Sequence, residues 1–246
     1  MLSGHENHQY GQADPISVQT YTRIAGILLL LTVLAGSFGE FYVPSKLIAS
    51  TDAAITANNF ITHDMLFRLG FASYLVEAVC DVSLSLVFYV LLRPVHKHLA
   101  LLSVCFGLVS TASFVAAQVF YFAASLIVGG ADYLKTFSPD QVNTLALLSL
   151  KISGYGGGIF MVFYGVASIV RGYLIFQSGY LPKILGVLLA IGGLGFVTRN
   201  FLLVLAPAYA SPFFLLPMMV AVLSLTLWLL LKGVDVPKWN DRAATV

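Results

Sequence analysis

Six ionisable side chains sit within or at the edge of long apolar stretches of this chain: Glu40, Arg68, Glu77, Asp81, Lys151 and Arg199. In water they would be ordinary surface charges. In lipid each is costly, since an ionised Asp at the centre of a membrane-spanning helix costs about 3 kcal/mol even on the milder insertion scales. Such groups persist by facing the bundle interior, where they pair or line a wet site. Three are acids and three are bases, so the set is formally neutral. Glu77 and Asp81 are four residues apart and share one helix face. Two like charges at that spacing need cations opposite or a proton on one of them. Lys151 and Arg199 are the expected cations. The chemistry within reach is binding of a small polar molecule or ion, or proton relay, in an outward-facing pocket. The competing expectation is a set of ion pairs that only fixes helix packing.

Other reactive residues point to less. Ser149 and Ser153 flank Lys151 and would suit a serine–lysine hydrolase only if a base met a serine in space. His63 and Asp64 are expected at the outer surface. His96 and His98 flank Lys97 in a basic turn facing anionic lipid. No histidine falls in an apolar run, so a histidine-ligated metal is not expected. Cys80 and Cys105 both lie in apolar runs and read as small buried hydrophobes. Gly154, Gly156, Gly157 and Gly158 lack the Gly-Lys-Ser/Thr ending of a phosphate loop. Gly154 and Gly158 instead form a small-xxx-small pair suited to close helix approach, and Gly192, Gly193 and Gly195 read the same way.

These residues must be positioned by membrane helices. Of 246 residues, 59% are apolar and only 10% charged, against about 25% charged in a soluble domain. The surface is therefore solvated mainly by lipid, which excludes a cytosolic enzyme and a nucleic-acid binder. The net charge of +2 arises from loops. Charge-poor runs predict six spans, at about 24–43, 67–92, within 99–131, 145–170, 184–205 and 213–231. Each reaches about the 20 residues that a crossing needs. Once in lipid the chain must be helical or a closed barrel, and period-2 alternation is absent. The expected fold is all-α: a polytopic membrane protein with six transmembrane helices in one bundle.

Lysine and arginine orient it. Arg23, Arg93, Lys97, Arg171, Lys183, Lys232, Lys238 and Arg242 fall on one side, and Lys46 and Lys135 on the other, with Arg68 at the edge. The positive-inside rule places both termini in the cytoplasm. Counting about 1.5 Å per residue from these anchors puts Asp81 about 18 Å in from Arg93, Lys151 about 30 Å from Arg171 and Arg199 about 24 Å from Lys183. Glu40, counted from Arg23, reaches a height similar to Arg199. All six charges then lie between mid-membrane and the outer face. In the first outer loop, Ser50, Thr51 and Asp52 can cap a short surface helix over 53–60. Pro207, Pro212 and Pro217 predict a stiff, bent outer connection.

Several motifs carry a family resemblance: Leu66-Phe-Arg-Leu-Gly70, Cys80-Asp81 with Tyr89-Val-Leu-Leu-Arg-Pro94, Ala131-Asp-Tyr-Leu-Lys-Thr-Phe-Ser-Pro139, and the run from Arg171 to Leu189. In this order and spacing they resemble the bacterial membrane family called domain of unknown function 4386, from about Arg23 to Gly233. The resemblance implies an integral membrane protein of about six helices and no particular activity. Relatives often carry histidine in the fourth span, where this chain has Lys151-Ile-Ser-Gly-Tyr-Gly-Gly-Gly158.

The expected organisation is a polar cytoplasmic tail over 1–20, a six-helix domain over 21–233 and a frayed polar cytoplasmic tail over 234–246. The expected location is the bacterial cytoplasmic membrane. Expected partners are the lipid bilayer and a small polar ligand or ion, with no cofactor, metal or nucleic acid. A binding or transport protein is favoured over a structural or accessory protein, and both over an enzyme acting on a lipid-like substrate.

Overall fold

Backbone groups in lipid have no water to bond, so each must be satisfied within its own segment. The computed structural model describes residues 17–49 and 51–245. Among them there are helices and no strands. Most of the N-terminal tail, the Ser50 cap and Val246 lie outside the described residues. Six helices are long and apolar enough to cross a membrane: Val18–Leu47, Asp64–Leu92, Lys97–Val128, Pro139–Ser178, Lys183–Leu205 and Pro212–Leu231. They are called spans one to six below. Span one holds a π-helical turn over Ser37–Tyr42.

Local signals set the helix ends. Ser138 and Gln141 form a reciprocal capping box at the start of span four, with Pro139 in its first turn. Gly179 ends that span and Gly233 follows span six, with φ of 76° and 78°, the left-handed conformation that glycine adopts without strain. Asp52 caps the surface helix Ala53–Thr62 by accepting from the Ile55 N–H at 2.9 Å. The proline-rich connection forms two 3₁₀ turns, Pro207–Tyr209 and Pro212–Leu215, while Pro217 lies in the first turn of the helix that follows.

Each span packs on its neighbours in sequence, and span six returns to span one, which closes a ring. Two apolar clusters fill it. One, around Leu91, Leu92, Leu174, Ile175 and Leu229, lies toward the end bearing Arg93. The other, around Val43, Phe67, Phe114, Tyr121 and Phe160, lies toward the end bearing Lys46. There the surface helix inserts Phe60 against Phe67, ring centroids 5.1 Å apart.

The polar contacts between elements end mostly on main-chain carbonyls. Tyr74 donates to Gly39 O at 2.6 Å, Ser110 to Phe160 O at 2.9 Å and Ser149 to Phe120 O at 2.7 Å. Arg23 donates to the carbonyls of Leu229, Leu230 and Leu231, acceptors that the end of a helix leaves without partners. The Leu91 carbonyl accepts from both Tyr180, at 2.6 Å, and the Trp239 indole, at 3.1 Å.

That last bond corrects one expectation. The C-terminal segment is not frayed: Val236–Ala243 is a helix, capped by Asp235 and docked through Val236 and Trp239. A hydrogen bond from Lys238 holds the exposed Asp235 carboxyl below its usual range. Cys105 is a second correction, because it is exposed on span three while Cys80 is buried.

Spans four and five touch backbone to backbone at two levels. A Cβ added at Gly165 would lie 2.7 Å from Gly193 O, and one at Gly172 would lie 2.8 Å from Ala190 N. Toward the Lys46 end the two helices part. Cβ atoms at Gly154 and Gly157 would meet nothing within 4 Å. The close approach expected at Gly154 thus occurs about three to five turns further along, where the facing residues are also glycines. Gly165→Val should therefore lower the thermal midpoint in detergent by the equivalent of about 1–3 kcal/mol, while Gly154→Ala should not lower it.

Candidate functional site

The divergence of spans four and five opens a cleft of about 840 Å³, within the range of small-molecule sites. Span one contributes Glu40, span three Gln118 and Tyr121, span four Lys151, and span five Arg199 and Asn200. Glu40 sits in the π-helical turn, a local widening often found at functional sites. It is half-buried, Lys151 is exposed, and Arg199 is half-buried.

Four polar atoms on this lining are buried without a hydrogen-bond partner: Gln118 Oε1, Tyr121 Oη, Arg199 Nε and Asn200 Oδ1. Gln118, Tyr121 and Asn200 are only 9%, 4% and 5% exposed. An unpaired buried polar group costs about 1–3 kcal/mol, and most such groups in folded proteins find partners. Gln118 and Tyr121 stand on span three and Arg199 and Asn200 on span five, so the unpartnered atoms come from both sides of span four, all on residues that line the cleft. The Asn200 amide is held in place by its own donation to Phe196 O at 2.8 Å.

A second polar centre lies deeper. Asp81, Ser85, Thr111, Tyr164 and Arg171 surround a cavity of about 10 Å³, at the lower limit of room for one water. Arg171 donates to Ser85 Oγ at 3.2 Å, and its guanidinium lies 5.3 Å from the centroid of the Phe88 ring. Gly107 makes space for it, since a Cβ there would sit 2.7 Å from Nη2. Asp81 and Arg171 share this cavity, yet their charged atoms stay more than 4.0 Å apart.

Residues 24–233 match the family described as domain of unknown function (DUF4386). The chain belongs to this family. A protein of Archaeoglobus fulgidus described as uncharacterized is 28% identical over 120 residues, covering 48% of this chain. This chain spans 57% of that relative's length. No solved structure matches. The family and the six apolar helices together make this a multi-pass membrane protein in contact with the bilayer.

In this family member the six charges expected to act together are divided. Glu40, Lys151 and Arg199 line the cleft. Asp81 lines the deep cavity instead. Glu77 lies between, its Oε1 packed where a Cβ on Gly36 would come within 3.2 Å and its Oε2 without a partner. Arg68 lies outside the cleft, exposed and bonded to Asp64 at 2.7 Å.

The expected ion pairs of Glu77 and Asp81 with Lys151 and Arg199 do not form. Among the described residues every salt bridge is local: Arg68–Asp64, Lys135–Asp132 and Lys238–Asp235. The cation beside Asp81 is Arg171, which the charge pattern places at the cytoplasmic end of the fourth span. Span four in fact runs on to Ser178, so Arg171 is helical and only 5% exposed. Gln118, Tyr121 and Asn200 escaped a search for ionisable groups because they carry no charge. Their signal was an amide or hydroxyl within an otherwise apolar run.

Asp81→Asn and Arg171→Met should therefore be non-additive. Each alone should destabilise, and the double variant should recover about 1 kcal/mol or more relative to their sum in a thermal-unfolding cycle. Lys151→Met should show no such coupling to Asp81→Asn.

Proposed function

We propose that the cleft between spans four and five binds a small polar molecule or ion. The observation that carries this reading is the set of four unpartnered buried polar atoms on residues that line one cleft. Two cations against one acid favour a ligand bearing negative charge. Carboxylates and phosphates suit the guanidinium of Arg199, whose planar donors bind them in pairs. The deep cavity at Asp81 and Arg171 is only about 10 Å³ and shares no lining residue with the cleft, which favours a binding site over an open channel.

A purely structural role for the charges has less support. The spans are joined by hydroxyl, indole and guanidinium donors on backbone carbonyls, and no ion pair among the described residues joins two spans. With both termini and the side richer in lysine and arginine in the cytoplasm of a bacterial cell, the protein would turn the cleft toward the outer face of the cytoplasmic membrane. Residues 21–233 would form the binding domain, flanked by polar tails.

The test is a thermal-shift screen of water-soluble and amphipathic anions on purified protein in uncharged detergent. A ligand at about 100 times its Kd should stabilise the fold by about 2.7 kcal/mol. Gln118→Leu, Asn200→Leu and Lys151→Met should reduce that shift, while Arg68→Ala should keep it. Equal shifts in all four variants would place the ligand elsewhere.

A further inference from the structure

The cleft is also open in a direction that an aqueous pocket would not need. Its rim on spans four and five carries Tyr155, Ile159, Phe201 and Val204, 74%, 57%, 54% and 79% exposed. These side chains stand exposed on two helices long and apolar enough to cross a membrane. Large apolar groups there are at no disadvantage in lipid, whereas the same rim in water would form a costly exposed patch. Behind it the floor turns polar, with Gln118, Arg199 and Asn200, and the exposed Lys151 stands one turn from Tyr155 at the cleft's edge. From rim to floor the cleft grades from apolar to cationic.

We infer that the occupant enters sideways from the bilayer, between spans four and five, and is an amphiphile with an anionic head and an alkyl chain. This rests on the binding reading above and names the ligand class. The head accepts from the Lys151 ammonium, the unpartnered Arg199 Nε–H and the Tyr121 hydroxyl, while the Gln118 and Asn200 amide oxygens can accept only where the head also carries a hydroxyl. The chain lies along Tyr155, Ile159 and Phe201 and continues into lipid. The glycines assist at both ends of this arrangement. Gly165 and Gly193 hold the spans together at one level, and Gly154 and Gly157 leave the gap unfilled at another. A carboxylate on a fatty acid and a phosphate on an anionic phospholipid offer the same chemistry to this floor.

The experiment uses the full chain in phosphatidylcholine nanodiscs. Probes are radiolabelled oleate, oleyl alcohol and butyrate, with phosphatidylglycerol as competitor. Oleate should bind saturably, with oleyl alcohol and butyrate each at least about 10-fold weaker, the worth of a charge-assisted contact or of a buried chain segment. Lys151→Met with Arg199→Met should weaken oleate about 10-fold or more. Gly157→Leu fills the gap from a position with free space around it, so the fold is retained, and it should block oleate. Competition by phosphatidylglycerol would assign the site to a lipid head group, and its absence to a free fatty acid; either supports the inference. Equal affinity for oleyl alcohol would overturn it, because the head charge would then be unread. If butyrate or another chain-free anion binds as well as oleate, the sideways route fails while the binding reading stands. If neither these probes nor the anion screen yields a saturable ligand, both fail.

Discussion

Two helices can pass with their backbones in contact only where neither presents a side chain. Spans four and five do so at Gly165 against Gly193 and at Gly172 against Gly186. Lipid supplies no hydrophobic force to push helices together, so such close packing contributes much of their attraction. The contact fixes one half of the pair and leaves the other half to diverge. The cleft and its rim lie beyond the last contact of glycine on glycine, at Gly165 and Gly193.

The cohesion of the ring is otherwise assigned to modest groups. Tyrosine, serine, tryptophan and Arg23 donate to carbonyls on neighbouring elements, and several of those carbonyls sit at helix ends that would otherwise lack partners. Among the interior charges Arg171 ties span four to span two through Ser85, while no ion pair among the described residues joins two spans. Asp81 and Arg171 balance each other across a small cavity without touching. Glu40, Lys151 and Arg199 are spread around the wider one.

Much of the architecture was legible in the residues. Six apolar runs predicted six spans, and the ends of the second and sixth agree with the observed helices to within a few positions. The surface helix and its Asp52 cap were also readable, because capping is local chemistry. Arg171 was misplaced for a definite reason. A charge at the end of an apolar run marks either the membrane edge or a buried partner, and hydropathy treats both alike. Only the packing of Gly107, Ser85 and Phe88 around the guanidinium separates them. Glu40 was placed by simple height counting, but which acids face which cations depends on helix rotation. Rotation is set by glycine contacts between spans and is invisible along one helix. Gln118 and Asn200 had no charge to attract notice, although one amide in a lipid-bounded helix is nearly as constrained.

Span four has 40 residues, or about 60 Å of helix, twice the roughly 30 Å of bilayer hydrocarbon. It cannot stand upright and stay immersed, so it must lean or project at its ends. Span five, at 23 residues, fits the slab with little to spare. Two partners of such unequal length, pinned together at glycines, respond differently when the surrounding leaflet thickens or thins. The angle between them, and with it the width of the gap at Lys151, is thereby coupled to the lipid composition of the host membrane.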